Sequence, residues 1–223
     1  MKIRTLLALS PAFALALGTT LNARTVETLT FEGLQDEEPI NNFYNGGTGG
    51  MGSSGGPNYG IAFTSDSLAL ISKDAGGTGN FSSMYLPSGH TIGFFLSGAG
   101  DTMNVAAGFT TGFSFYYTSP YYVGTVNVYS GLNGTGTLLA TLTLPETNPN
   151  IGSYAYDDWQ PSGVSFAGTA ESAIFTGVAN QVGFDNITLG SSTPTPSAPD
   201  GGATASLLGL ALLGLAGLRR KLS

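Results

Sequence analysis

The sequence predicts an all-β fold, a β-sandwich of the jelly-roll type, between two short terminal segments. Strand-like runs recur along the central part of the chain, with turn residues between them. Glycine accounts for 34 of the 223 residues, and charged residues make up only 9%. The central part shows no stretch with the period of an amphipathic helix. Short strands at regular spacing are typical of antiparallel sandwiches.

Eleven runs carry the strand prediction, in chain order. The run 109–118 places Phe113, Phe115 and Tyr117 on one face, which we expect to be the core face. Ser65-Asp66 joins the second and third runs and is a candidate hairpin turn. The predicted strands cover 25–31, 59–64, 67–71, 91–96, 103–107, 109–118, 125–129, 136–144, 163–166, 171–176 and 181–189.

Three stretches between the strands are predicted to be loops. Residues 41–58 are rich in Gly, Asn and Ser and are expected to form a long flexible insertion. Residues 73–80 are similar but shorter, and residues 146–161 contain Asn, Pro, Tyr, Asp and the single Trp. Long loops at the end of a sandwich are where binding surfaces usually lie.

The N-terminal segment has the order of a secretory signal peptide. Lys2 and Arg4 precede an apolar stretch over residues 6–17, which is expected to be helical, and residues 21–23 fit a cleavage site. We therefore predict a signal peptide at 1–23 and a folded domain at 24–190. With no cysteine, an exported domain of this kind cannot depend on disulfides or a thiol nucleophile.

The predicted domain is strongly acidic. Residues 24–190 contain 13 acidic and two basic residues, a formal charge of −11. This charge disfavours nucleic acid as a partner, because phosphate binding needs Lys and Arg. It favours divalent cations, or it serves only to keep an exported domain soluble.

The C-terminal segment contains a turn, an apolar run and a basic end. Residues 191–198 form a Ser/Thr/Pro linker that is expected to be extended and disordered. The run 203–218 is apolar on all sides, and as a helix it would be about 24 Å long, a marginal span for a bilayer. The basic residues 219–221 would lie on the cytoplasmic side. The alternative is a core helix, which the absence of a polar face disfavours.

This tail resembles the PEP-CTERM sorting signals of bacteria, and most closely the VPDSG-CTERM variant. The resemblance lies in the Pro-containing motif, the apolar helix and the terminal Arg pair of segment 199–223; Ala198 replaces the leading Val, and Gly201 replaces the Ser. The resemblance implies export, transient membrane anchoring, recognition by an exosortase-type membrane enzyme, and a link to exopolysaccharide and biofilm. The residues that match the sorting motif are Pro199, Asp200, Gly201, Gly202, Arg219 and Arg220.

Two carboxylates near the ends of the domain form a candidate calcium site. Glu32 follows the first predicted strand, and Asp185 lies in the last. The first and last strands of a jelly roll often lie side by side, which would bring the two together. They resemble the acids of jelly-roll carbohydrate-binding modules, which begin and end with similar motifs; in those families such acids hold a structural Ca²⁺. The alternative is that both face solvent.

Tyr154, Tyr156 and Trp159 form a candidate glycan site in the loop 146–161. Exposed aromatic rings beside acids can stack on sugars and bond to their hydroxyls, but a single Trp more often closes the end of a sandwich. A second possible platform consists of Tyr116, Tyr117, Tyr121 and Tyr122, although strand alternation turns half of them toward the core, so core packing is the more common role. The single histidine, His90, has no nucleophile motif beside it and is expected in an exposed turn.

The sequence therefore predicts a non-enzymatic, exported surface or matrix protein. Two roles stay open: a structural component of the envelope or extracellular polymer, and a carbohydrate-binding module with a structural calcium.

Overall fold

The computed structural model describes residues 26–98 and 100–195. The predicted signal peptide at 1–23, the end of the linker at 196–198, and the sorting tail at 199–223 with its helix 203–218 lie outside the described residues. The described part is a sandwich of two antiparallel sheets, and none of its helices is long and apolar enough to cross a membrane.

Eleven strands build the two sheets. Sheet A has the order β3-β4-β11-β6-β9, with β1 also paired to β11, and sheet B has the order β2-β5-β10-β7-β8. The strands are β1 (Glu27–Leu29), β2 (Ile61–Phe63), β3 (Ser67–Ile71), β4 (Thr91–Phe95), β5 (Gly100–Phe109), β6 (Gly112–Thr118), β7 (Gly124–Tyr129), β8 (Leu138–Leu144), β9 (Gln160–Ser165), β10 (Ala170–Thr176) and β11 (Gly183–Leu189).

The connections give the sandwich its jelly-roll topology. From β4 onward the chain crosses to the other sheet at every connection except β7–β8, which is a hairpin. The order β4-β11-β6-β9 therefore faces β5-β10-β7-β8, which is the arrangement of the two Greek keys in a jelly roll. The predicted all-β, jelly-roll sandwich is confirmed. The first and last strands also pair, with Glu27 opposite Leu189.

The core fills the space between the sheets with aromatic rings. Phe113, Phe115 and Tyr117 of β6 all face inward, as the alternation predicts. Phe175 of β10 meets Phe184 of β11 with ring centroids 4.7 Å apart. Each fully buried ring contributes about 1.5–3 kcal/mol by leaving water. All of these residues lie within 26–195, so the described segment has a hydrophobic core of its own.

One predicted connection is wrong. Ser65-Asp66 does not close a hairpin, because β2 pairs with β5 in sheet B whereas β3 pairs with β4 in sheet A. Both strands carry apolar residues of the same spacing, and the local pattern does not reveal that the chain changes sheets between them.

The glycine-rich segment 41–58 is packed on the domain and is not a flexible insertion. Phe43 and Tyr44 are buried, and the carbonyl of Tyr44 accepts hydrogen bonds from the backbone N–H groups of Tyr59 and Ile61. Gly49 lies directly over the Glu38 carboxylate, so that a Cβ there would be 2.4 Å from Oε1. The glycines are therefore needed for close approach to the domain.

The predicted disorder of the linker is wrong for its first five residues. Residues 191–195 run back over sheet A, where the carbonyl of Ser191 accepts a hydrogen bond from Ser114 Oγ at 3.0 Å. The Thr195 hydroxyl lies 2.7 Å from the Thr28 hydroxyl, and its carbonyl accepts from Asn186 Nδ2 at 3.0 Å. Gly163 makes room for this segment, since a Cβ there would lie 2.1 Å from the Ser192 carbonyl oxygen.

Candidate functional site

The outer face of sheet A is covered by two loops, and the candidate site lies between them. On β4, Gly93 and Phe95 pack inward, whereas Ile92 and Phe94 point to the outer side of the sheet. The loops that cover this side are residues 72–90 and 145–159. They form a second small apolar layer outside the main core.

Trp159 belongs to this layer. Its ring packs edge-to-face on Phe81, with centroids 6.0 Å apart. It also lies over Gly183, where a Cβ would come within 3.2 Å of the ring. Its Nε1 is buried and has no hydrogen-bond partner within the described part of the chain. Trp159 is therefore a packing residue on the outer face of sheet A, and does not close the end of the sandwich.

Asp157 joins the two covering loops. Its carboxylate is buried and accepts a hydrogen bond from the Ser82 backbone N–H at 2.7 Å and from the Tyr154 backbone N–H at 2.9 Å. Tyr154 is thus part of the turn that Asp157 organises. These two hydrogen bonds fix the position of the neighbouring Tyr156.

A cleft with a volume of about 370 Å³ opens between these loops and the end of sheet A. Its floor is apolar, and its walls are formed by Tyr156 and by amide side chains. The lining residues are Glu37, Leu70, Thr78, Asn80, Phe81, Ile92, Phe94, Leu96, Thr118, Tyr156, Asn180, Gln181, Val182 and Gly183. Of the three residues predicted for glycan binding, the cleft includes Tyr156 but neither Tyr154 nor Trp159.

Tyr156 is held in one orientation at the cleft wall. Its hydroxyl donates to Gln181 Oε1 at 2.7 Å, which leaves the Gln181 Nε2 group as a donor. Burial, together with the nearby Tyr121 and Tyr122, raises the pKa of Tyr156 to about 12. The phenol is therefore protonated at neutral pH. Such a fixed phenol and amide pair presents hydrogen-bonding groups to a polar ligand without further ordering.

Two further polar side chains of the cleft, both amides, are not predicted from the sequence. Asn80 lies in the first covering loop, and Asn180, which has a positive φ of 59°, precedes β11. The structure gives neither side-chain amide a hydrogen-bond partner among residues 26–98 and 100–195. The only signal for Asn180 in the sequence is its position directly before the last predicted strand, 181–189.

Glu32 and Asp185 lie near one another at the junction of β1 and β11. Glu32 Oε1 accepts hydrogen bonds from the backbone N–H groups of His90 and Thr91, at 2.9 and 2.8 Å. Asp185 is fully buried, and Ser88 Oγ lies 3.3 Å from its Oδ2. Burial, reinforced by the charge of Glu32, raises the pKa of Asp185 well above its ordinary value.

The chemistry of this pair suits calcium, although its carboxylates are few. Asp185, Glu32, the Asn186 carbonyl group and Ser88 supply the hard oxygen atoms that Ca²⁺ prefers. Asn186 has a positive φ of 48°, and the register of β11 against β6 shifts beside it. However, the described residues contain no cluster of three or more His, Cys, Asp or Glu side chains that could hold a metal. The calcium site thus stays a prediction.

We expect EDTA to lower the melting temperature of a fragment of residues 24–195 by about 5–10 °C. A shift of this size corresponds to the loss of a bound Ca²⁺ ion whose dissociation constant lies well below the calcium concentration. Excess Ca²⁺ should restore it. Glu32→Gln should remove the calcium response, and Glu171→Gln, on β10 of the other sheet, should keep it. A melting curve that EDTA leaves unchanged would mean that Asp185 is stabilised by a proton and hydrogen bonds alone.

Several solved structures are similar to the chain at a low level. A carbohydrate-binding module, CBM6cm-2 from Cellvibrio mixtus lichenase 5A in complex with cellotriose, has 15% identity and a TM-score of 0.36, covering 57% of this chain and 88% of that chain. The K1 cleaved adhesin domain of Lys-gingipain from Porphyromonas gingivalis has 11% identity and a TM-score of 0.36, covering 59% and 98%.

A longer protein shows a similar likeness. The glycoside hydrolase family 43 arabinoxylan arabinofuranohydrolase from Bacillus subtilis, in complex with cellotetraose, has 18% identity and a TM-score of 0.39, covering 59% of this chain and 26% of that chain. No curated protein matches the chain.

The C-terminal segment matches a family model. Residues 199–222 match the model described as the VPDSG-CTERM motif, and they include Pro199, Asp200, Gly201, Gly202, Arg219 and Arg220. This agrees with the resemblance seen in the sequence, despite Ala198 and Gly201. The chain therefore carries a VPDSG-CTERM motif, a PEP-CTERM-like sorting tail, behind a jelly-roll domain.

Proposed function

We propose that the protein is exported, sorted at the cell envelope through its tail, and binds extracellular polysaccharide through the cleft that contains Tyr156. The sorting motif at 199–222 supports export and membrane anchoring. An exosortase-type membrane enzyme is the proposed partner of the tail, and exopolysaccharide of a biofilm matrix is the proposed setting of the domain.

The observation that carries the proposed binding is the composition of the cleft. A sugar ring offers apolar C–H faces and several hydroxyls, each of which donates and accepts hydrogen bonds. The cleft supplies an apolar floor at Phe94 and Ile92, and the amides of Asn80, Asn180 and Gln181 around it. Its volume lies within the range of about 300–1,000 Å³ that is usual for small-ligand sites.

The same residues favour binding over catalysis. Glycoside hydrolysis needs two carboxyl groups about 5–9.5 Å apart on either side of the scissile bond. Among the cleft-lining residues of the described chain, Glu37 is the only carboxylate. The proposed role is therefore non-enzymatic: the domain would hold the protein on a polymer, or hold the polymer at the cell surface.

We expect Tyr156→Ala to weaken polysaccharide binding at least tenfold, or about 1.4 kcal/mol. The substitution removes both the ring at the cleft wall and the hydrogen bond that fixes Gln181. Tyr156→Phe, which keeps the ring, should lose less. A glycan array followed by titration calorimetry on the 24–195 fragment would measure this.

Tyr129→Ala is the matched control, because Tyr129 lies on β7 in the other sheet and does not line the cleft. If the wild-type domain binds no polysaccharide on the array, the binding proposal is wrong, and the domain is a structural component of the envelope or matrix.

The proposed sorting has its own measurement. Processing by a membrane enzyme should leave a mature protein that ends near the Pro199-Asp200 motif, and mass spectrometry of the exported form would detect it. A mature C-terminus that remains at Ser223 would contradict processing.

A further inference from the structure

Beside the cleft lies a rim of exposed tyrosines. Tyr121 and Tyr122 follow β6, and their side chains are 49% and 45% exposed. The Tyr121 ring meets the Tyr156 ring edge-to-face, with centroids 6.2 Å apart. The rim is thus continuous with the cleft wall, and the residues after β6 do not join the core as strand alternation would suggest.

The backbone holds this rim in place. Ser119 is fully buried, and its hydroxyl donates to the carbonyl of Tyr122. The Ser119 backbone N–H donates to Thr147 Oγ1 at 3.1 Å, which ties the segment to the loop before β9. The tyrosines are therefore presented to solvent by an anchored segment. Aromatic rings in such a position can contact the faces of sugars without a large loss of conformational freedom.

The negative charge of the domain favours an uncharged ligand over an anionic one. The described residues 26–98 and 100–195 contain 13 acidic residues and one basic residue, Lys73. Lys73 does not line the cleft, whereas Glu37 does. An anionic polysaccharide would meet a negative field and no cation to pair with it. Uncharged hydroxyls, in contrast, can bond to the cleft amides at no such cost.

We propose that the ligand is an uncharged polysaccharide, and that it binds over several consecutive sugar units, from the Tyr156 cleft across the Tyr121–Tyr122 rim. This inference rests on the proposed function and adds two properties to it. Affinity rises with the length of the oligosaccharide, and chains of uronic acids are rejected.

The test uses the full-length chain in detergent, with the 24–195 fragment in parallel. The probes are neutral glucan, mannan and galactan oligosaccharides, from disaccharides upward, and oligogalacturonates of matched length. We expect the longer neutral oligomers of one series to bind at least tenfold more tightly than its disaccharide. Matched oligogalacturonates should bind at least tenfold more weakly, and Glu37→Gln or added salt should narrow that gap because either reduces the repulsion.

The double variant Tyr121→Ala/Tyr122→Ala separates the rim from the cleft. It should reduce the length dependence and lower the affinity for the disaccharide much less than the affinity for the longer oligomers, because Tyr156 and the cleft floor remain, whereas Tyr129→Ala should alter neither. Equal affinity for short and long neutral oligomers, or tight binding of oligogalacturonate, would overturn the inference while leaving glycan binding intact.

Two further outcomes would also contradict the inference. If wild-type protein binds no saccharide at all, the proposed function and the inference both fail. If the rim variant alters the oligomeric state in solution and not the length dependence, the rim is a contact between copies of the chain, and the inference is wrong.

Discussion

Glu38→Ala is expected to lower the free energy of unfolding by about 3–5 kcal/mol. The Glu38 side chain is fully buried, yet both of its carboxylate oxygens are bonded. Oε1 accepts from the backbone N–H groups of Met51 and Ser53 at 2.9 and 3.0 Å, and Oε2 accepts from the Gln35 N–H at 2.7 Å and from the Ser53 hydroxyl. Alanine would leave three backbone N–H groups without their acceptor.

Chemical denaturation of the 24–195 fragment measures this loss. Glu38→Gln, which keeps an acceptor oxygen, should cost less, and Glu146→Gln, at an exposed position, should change stability little. Limited proteolysis should cut segment 41–58 in the alanine variant before the rest of the domain unfolds. A variant with wild-type stability and an uncut segment would show that the glycine-rich segment is held by Phe43 and Tyr44 alone.

Glu38 also gives the domain a dependence on acid. Burial raises its pKa, but the hydrogen bonds from Gln35, Ser53 and Met51 outweigh burial, and the pKa lies below the ordinary value of 4.5. Its contribution to stability is therefore present above pH 4.5 and is lost as the pH falls through the lower pKa of the folded state. Segment 41–58 should loosen on acidification.

Asp101→Asn is expected to stabilise the domain at alkaline pH and to remove much of its pH dependence. Asp101 lies on the core side of β5, where the Ser67 and Thr64 hydroxyls donate to it. Burial outweighs these bonds and raises its pKa from 3.8 to about 7. The contribution of the neutral carboxyl is fully present below pH 3.8 and is lost as the pH rises through about 7. The full loss is about 4 kcal/mol.

Chemical denaturation at pH 5 and pH 8 tests the direction of this pH dependence of stability. Between these values the wild-type domain should lose about 2–3 kcal/mol through Asp101, and Asp101→Asn should lack this part of the decrease. Asp185, whose pKa is also raised, adds a similar trend in both proteins, so the difference between them is the quantity to compare. Glu146→Gln should follow the wild type. If Asp101→Asn shows the wild-type pH dependence, the Asp101 carboxyl remains charged in the folded protein.

The sequence predicts the sheets better than it predicts what covers them. Alternation in 109–118 identifies the inward face of β6, because each inward position is a large aromatic residue. Asp101 shows the limit of this rule. It occupies an inward position on β5, in phase with Met103 and Val105, but its acceptor role depends on Ser67 in the opposite sheet. Only the folded structure brings these two residues together.

Glycine-rich composition misleads for a physical reason. A run such as 41–58 has many accessible conformations when it is unfolded, which suggests flexibility. The same absence of side chains lets Gly49 approach Glu38 and lets Gly56 approach the Phe43 carbonyl, where a Cβ would lie 2.5 Å away. The sequence contains the glycines and the buried carboxylate, but their contact depends on the packing of the whole segment.

In the candidate site, too, the sequence predicts some residues and not others. Local sequence singles out Tyr156 because aromatic and acidic residues cluster around it. It does not single out Gln181 or Asn80, since each comes from a different part of the chain and meets Tyr156 only through the jelly-roll connections. Trp159, which the sequence makes conspicuous, packs against Gly183 and does not line the cleft, whereas Tyr156 does.

Segment 191–195 brings the chain back toward the cleft before the sorting motif. Thr195 lies beside Thr28 and Asn186, over the middle of β11, and the cleft lies at the start of the same strand, at Gly183. Three residues of an extended strand, or about 10 Å, separate Asn186 from Gly183. A ligand in the cleft would therefore lie close to the point at which the chain continues toward the sorting motif.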